Sequence, residues 1–226
     1  MTKADVRRQL TSTGIVPVIR ASSAQKALLA ADALYQGGIS VLEVTLTVPG
    51  AEKVIETLRK NFGDDVLVGA GTVLQAEDAK RCLDAGAQFI VSPGFDTGTI
   101  SFVNSKEILM IAGALTPTEV VTAWKSGSDL VKIFPCSAVG GASYIKALKG
   151  PLPQIPLIPT GGVNLQTAAD FIHAGSEALG IGSELVPASA LDSGTPRLIT
   201  ELAKQFLEIV QTARSSLVNA AKGGVS

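Results

Sequence analysis

Eight short runs of apolar residues punctuate the chain, at residues 15–19, 41–46, 66–68, 88–91, 108–112, 130–134, 156–158 and 178–181. They carry few charges and do not alternate apolar with polar, the pattern of strands covered on both faces in a parallel sheet. Between them the period changes. Ala27, Ala31, Leu34 and Tyr35 share one face of a helix, as do Val120, Val121 and Trp124, so these intervals read as amphipathic crossover helices. Capping-box sequences mark helix starts at Ser22 with Gln25 and at Thr116-Pro117-Thr118-Glu119, the second with proline at the first helical position. Eight strand-helix units in succession predict an α/β fold closed into a (β/α)8 TIM barrel, preceded by an N-terminal helix. A last helix is predicted over 196–213 with Thr195 as its cap, and the tail 215–226 is expected to fray. No linker or break in composition divides the chain, so residues 1–226 read as one domain.

A weak internal repeat supplies a register. Gly38-Ile39-Ser40, Gly86-Ala87-Gln88, Gly127-Ser128-Asp129 and Gly175-Ser176-Glu177 each stand where a helix closes and an even-numbered strand begins. Five residues on from each glycine come Glu43, Val91, Lys132 and Gly180. The two charged residues embedded in apolar runs therefore occupy equivalent positions, and side chains of alternate barrel strands fill common layers. Glu43 and Lys132 are expected to face each other across the upper barrel. An unpaired buried ammonium is costly, and a common escape is a depressed pKa that leaves a neutral, nucleophilic amine. A buried salt bridge about breaks even against apolar packing, so the pair is better explained by chemistry than by architecture.

Composition narrows the function classes. The 226 residues hold 19 Lys and Arg against 20 Asp and Glu, a net charge of −1, which offers no basic field for nucleic acid and no polybasic patch for a membrane surface. A hydrophobic content of 46% reads as buried strands, because no apolar stretch reaches the roughly 18–20 residues of a membrane span. The opening Met1-Thr2-Lys3-Ala4-Asp5 lacks the apolar core of a signal peptide, and Cys82 and Cys136 make no disulfide framework, so a cytoplasmic location is expected. A single histidine, His173, expected at the surface near a helix end, argues against a zinc centre or a catalytic triad. Cys136 reads as a packing residue.

Barrels of this class carry their sites at the carboxyl-terminal mouths of the strands. Here those mouths read Arg20, Thr45 to Thr47, Gly69-Ala70-Gly71-Thr72, Ser92-Pro93-Gly94, Gly113, Phe134-Pro135, Thr160-Gly161-Gly162 and Gly182-Ser183. The last two clusters follow strands seven and eight, where backbone amides and a helix N-terminus commonly bind phosphate. Glycine alone also ends strands for steric reasons, but the two turns together, with the Ser183 hydroxyl, predict a phosphate cup from Gly161, Gly162, Gly182 and Ser183.

The runs Gly14-Ile15-Val16-Pro17-Val18-Ile19-Arg20, Leu42-Glu43-Val44-Thr45, Gly69-Ala70-Gly71-Thr72, Val91-Ser92-Pro93, Leu130-Val131-Lys132-Ile133-Phe134-Pro135 and Pro159-Thr160-Gly161-Gly162 resemble the 2-keto-3-deoxy-6-phosphogluconate and 4-hydroxy-2-oxoglutarate aldolase family, over about residues 6–187. The resemblance implies a class I aldolase, usually a homotrimer, that needs no metal or cofactor and cleaves a phosphorylated keto-sugar acid to pyruvate and glyceraldehyde 3-phosphate. It implies Lys132 as the Schiff-base lysine and Glu43 as general acid and base. Thr72 and a neighbouring arginine would hold the pyruvate carboxylate, Pro93, Phe134 and Thr160 would line the pocket, and Gly161, Gly162, Gly182 and Ser183 would hold the phosphate. Some members carry an arginine just after the second strand, where this chain has Thr47. Arg20 is the only arginine on the rim and is expected to supply that charge, with Thr47 and Thr72 beside it on the carboxylate, since a guanidinium grips a carboxylate with two hydrogen bonds. Galactonate-derived and 4-hydroxy-2-oxoglutarate substrates, a phosphosugar isomerase or epimerase, and a non-catalytic phosphosugar-binding protein are the alternative readings.

Overall fold

The computed structural model of the chain describes residues 1–223. Its strands are β1 (Ile15–Ile19), β2 (Val41–Thr45), β3 (Leu67–Gly71), β4 (Phe89–Val91), β5 (Leu109–Ala114), β6 (Leu130–Ile133), β7 (Leu157–Pro159) and β8 (Leu179–Ile181). They pair in parallel in the order β7-β6-β5-β4-β3-β2-β1-β8, and a bridge from Thr160, just past β7, to Gly180 on β8 joins the two ends. The helices are α1 (Lys3–Thr13), α2 (Ala24–Gln36), α3 (Ala51–Phe62), α4 (Ala76–Asp84), α5 (Thr97–Ser105), α6 (Pro117–Lys125), α7 (Ala142–Lys149), α8 (Ala168–His173), α9 (Ala188–Asp192) and α10 (Arg197–Gly223), with a short 3-10 helix, Cys136–Val139, after β6. This is the predicted (β/α)8 barrel with its N-terminal helix.

Two apolar layers hold it together. Outward residues of the strands, among them Leu42, Val44, Ile90 and Val131, pack against the helices in one large cluster. Inward residues, including Val16, Leu67, Phe89, Ile111 and Leu130, form a second cluster that Val6 and Leu10 of α1 join. Helix α1 thus stoppers the amino-terminal end of the barrel. Lys3 fastens it there by an ion pair to Asp129 at 2.8 Å, and the same carboxylate accepts the Met110 N–H at 2.8 Å. With that end filled, the opposite mouth is the open end.

The repeat glycines hold the predicted register. Gly38, Gly86, Gly127 and Gly175 have φ of 93°, 97°, 99° and 96°, the left-handed backbone that ends a helix and that a side chain would strain. The Thr116 capping box forms with Glu119 as expected. Four local expectations are corrected. The cap of α2 is Ser23, whose hydroxyl accepts the Lys26 N–H, rather than Ser22. Tyr35 is exposed and leans on Phe62 at 4.9 Å between ring centroids, because its position falls beside the buried stripe of α2. Thr195 turns its hydroxyl to the Ala190 carbonyl and to Ser193, so it is no side-chain cap for α10. Finally, residues 215–223 are helical: adding turns to an existing helix needs no new nucleus, and Ser216 also meets His173 Nε2 at 3.0 Å. Residues 224–226, the end of that expected tail, lie outside the described residues.

Candidate active site

Lys132 on β6 and Glu43 on β2 have three strands between them in the sheet order and point inward, so their side chains meet across the barrel. Lys132 Nζ lies 3.9 Å from Glu43 Oε1, with only 5% and 2% of the two side chains exposed. That distance is an ion pair without a hydrogen bond. Glu43 Oε1 has no hydrogen-bond partner among the described residues. A buried acceptor left unmade is costly, and it marks a place where a substrate hydroxyl or a water belongs. Burial pushes the Glu43 carboxyl above the usual carboxylate range, and Lys132 and then Arg20 pull it partly back.

Small residues on the neighbouring strands make room for this pair. Glu43 is in register with Gly69, and its carboxylate leans towards Gly71, where a Cβ would come within 2.0 Å of Oε1. Lys132 is in register with Gly113, where a Cβ would meet the Pro93 carbonyl at 2.2 Å. The Ser92-Pro93-Gly94 segment is stitched to β5 from both sides: Ser92 N–H donates to the Ile111 carbonyl at 3.0 Å, and Gly113 N–H donates to the Gly94 carbonyl at 2.9 Å. That lays Pro93 against the lysine's strand. The Phe134 ring centroid is 5.5 Å from Lys132 Nζ.

Around the mouth, Thr72 has φ of 61°, a left-handed backbone uncommon for any side chain and an outlier for a β-branched one. The buried Thr45 donates its hydroxyl proton to the Ile19 carbonyl at 3.0 Å and contacts Thr47 Oγ1 at 2.7 Å. Thr47 and Arg20 are exposed, and they line one cavity of about 270 Å³ with Ser22, Lys26, Leu191 and Asp192. Arg20 Nη1 lies beside Gly182, 3.3 Å from where a Cβ would stand. Arg20 forms no ion pair among the described residues, whereas Lys26 pairs with Asp192 at 2.6 Å.

The two glycine turns lie next to each other, because the Thr160–Gly180 bridge brings the ends of β7 and β8 together. Thr160 is buried, and its hydroxyl occupies the space that Gly180 leaves. Gly161 and Gly162 have φ of 90° and 78°. Cys136 N–H donates to the Thr160 carbonyl at 2.9 Å, and Ser137 N–H to the Gly161 carbonyl at 3.2 Å, so the segment after β6 is tied to the turn after β7. Ser183 is exposed beyond Gly182. All the residues expected at the site therefore lie at one end of the barrel.

The sequence reading gave no role to Gly71, Gly113 or Thr45, which shape the chamber by being small or by spending a proton. The register that pairs Lys132 with Gly113 and Thr45 with Gly71 was the available signal. Cys136 is fully buried, with its thiol pushed up to about 11 by burial, which fits a packing residue. His173 is exposed on α8, away from the mouth. Among the described residues, no group of three or more His, Cys, Asp and Glu could hold a metal ion.

Comparison with known proteins fits this geometry. The family model for KDPG and KHG aldolases matches residues 6–202. The 2-dehydro-3-deoxy-phosphogluconate aldolase of Treponema pallidum is 36% identical over 197 residues, covering 87% of this chain and 93% of that protein. The KHG/KDPG aldolase of Escherichia coli is 35% identical over 206 residues, covering 91% and 96%. Among solved structures, the KDPG aldolase of Legionella pneumophila, with pyruvate captured at low pH as a covalent carbinolamine intermediate, is 35% identical with a TM-score of 0.82, covering 88% of this chain and 96% of that one. With a lysine and a carboxylate meeting inside a (β/α)8 barrel and the family model matched over residues 6–202, this chain belongs to the KDPG and KHG aldolase family.

Proposed function

We propose that this chain is a class I aldolase that cleaves 2-keto-3-deoxy-6-phosphogluconate to pyruvate and glyceraldehyde 3-phosphate. The observation that carries the reading is the 3.9 Å approach of a buried amine to a buried carboxylate that has an unsatisfied oxygen. In its neutral form the Lys132 amine adds to the C2 ketone, and the carbinolamine loses water to give a cationic imine. Glu43 takes the C4 hydroxyl proton, directly or through one water. The C3–C4 electron pair then flows into the imine, releasing the aldehyde and leaving an enamine on Lys132. Protonation of C3 and addition of water release pyruvate and restore the amine. A carboxyl pushed up by burial suits both accepting and returning that proton.

In this reading Arg20 and Thr72 hold the substrate carboxylate, and Pro93, Phe134 and Thr160 form the pocket wall. The amides of Gly161, Gly162 and Gly182, with the Ser183 hydroxyl, receive the phosphate. The exposed guanidinium of Arg20, without an ion pair among the described residues, supports its part. Arg20→Lys is expected to raise KM for pyruvate-bearing substrates, and an unchanged KM would remove Arg20 from the site. We place the enzyme in the cytoplasm as a homotrimer, with a sedimentation mass as the test of the trimer. No helix among the described residues is long and apolar enough to cross a membrane.

Incubation with pyruvate and borohydride, followed by mass spectrometry, tests the covalent step. A mass gain on Lys132 is expected. Turnover without trapping would instead indicate a phosphosugar isomerase, and binding without either a phosphosugar-binding protein.

A further inference from the structure

Proton bookkeeping at the mouth of β2 gives Thr47 a different task from holding the carboxylate. A threonine hydroxyl has one proton and two lone pairs. Thr45 Oγ1 lies 3.0 Å from the Ile19 carbonyl, which can only accept, and 2.7 Å from Thr47 Oγ1, so both contacts are hydrogen bonds only when the Thr45 proton goes to the carbonyl. In that arrangement Thr47 is the donor and Thr45 the acceptor of the 2.7 Å contact, the direction that satisfies both hydroxyls. With its proton committed, Thr47 offers only lone pairs to the cavity. Such an oxygen repels a carboxylate and attracts an N–H group.

The same cavity holds a surplus of donors. Arg20 brings a guanidinium with five N–H groups and no ion-pair partner among the described residues, while Lys26 is already engaged by Asp192 and Ser22. We propose that Thr47, held by the chain of hydrogen bonds running through Thr45 to the Ile19 carbonyl, is a positioning residue: its oxygen accepts from Arg20 and fixes the guanidinium where it grips the substrate carboxylate. Ile19 and Arg20 are adjacent, so the chain of bonds starts and ends on the same strand terminus and ties the mouth of β2 to that of β1. This inference rests on the reading of Arg20 as the carboxylate ligand.

A double-mutant cycle on the full-length enzyme separates the two. Thr47→Val keeps the shape but can neither donate nor accept. It is expected to raise KM by about tenfold or more, the effect of one hydrogen bond to a charged group, with kcat and the melting temperature nearly unchanged. Thr47→Ser is expected to restore KM. Arg20→Met should raise KM strongly, and adding Thr47→Val to it should change nothing more. A Thr47→Val effect that persists in full without Arg20 would overturn the positioning role and make Thr47 a direct ligand. A normal KM for Arg20→Met alone would overturn the carboxylate reading, and the positioning role with it.

Discussion

Replacing Gly71 by alanine separates the fold from the chemistry more sharply than mutating either reacting group. A methyl group there would stand 2.0 Å from Glu43 Oε1, 2.6 Å from its Cδ and 2.7 Å from its Cγ. Ordinary contact begins at about 3.4 Å, so the carboxylate has to retreat by about 1.4 Å. The backbone at Gly71 is not left-handed, so alanine brings no conformational strain. The clash falls on the flexible end of one side chain, which puts the stability cost at the low end of overpacking, about 1 kcal/mol. The catalytic cost is larger, because displacing a reacting group by ~1 Å can slow a reaction about 100-fold. Pyruvate release, coupled to lactate dehydrogenase and read as NADH oxidation, is expected to show kcat down by about that factor. Exchange of the pyruvate methyl protons in heavy water should fall in parallel. A Gly71→Ala enzyme that folds normally and keeps kcat within about twofold would refute the argument that the placement of Glu43 governs proton transfer.

Two further outcomes follow from the geometry. Because burial raises the folded-state pKa of Glu43 above its ordinary 4.5, the native state holds that proton more tightly than the unfolded chain. Its contribution to stability is thus fully present below pH 4.5 and is lost as pH rises through the raised value. Urea unfolding of the wild type and of Glu43→Gln across pH 4–8 should show the wild type losing ground to the variant as pH rises, and the opposite slope would contradict the assignment. Arg214 of α10 donates to the Ser12 carbonyl at 2.9 Å and to the Glu177 carbonyl at 2.7 Å, clasping the end of α1 to the entry of β8. Arg214→Met is expected to cost about 2 kcal/mol and lower the melting temperature by about 4–8 °C with activity at 25 °C retained, and a shift below about 1 °C would show the clasp to be idle.

Much of this molecule was legible before any coordinates. Apolar runs free of polar alternation marked strands buried on both faces, and all eight lie within a few residues of where they were expected. The glycine repeat carried the register, because a helix ending in a left-handed residue fixes the phase in which the next strand enters the barrel. That phase placed Glu43 and Lys132 in one layer, a conclusion that spacing alone supports when strands alternate in and out with period two. Helix ends were less legible. The serine that caps α2 is one of two adjacent serines with equivalent chemistry, and the continuation of α10 past Ala213 depends on an existing helix to grow from.

Distances, and the direction of each polar hydrogen, were decided only by the folded chain. The 3.9 Å gap between Lys132 and Glu43, the orphaned Oε1, and the dependence of that carboxylate on an absent methyl at Gly71 all arise between residues far apart in sequence. Thr47 shows the difference most clearly: its residue type allows both donation and acceptance, and only the folded chain sets its hydroxyl 2.7 Å from Thr45, which in turn reaches the Ile19 carbonyl. Sequence determines which groups a strand can present and to which face, since those follow from local backbone geometry. What each group does once presented depends on its neighbours, and closing the barrel is what makes neighbours of residues on different strands.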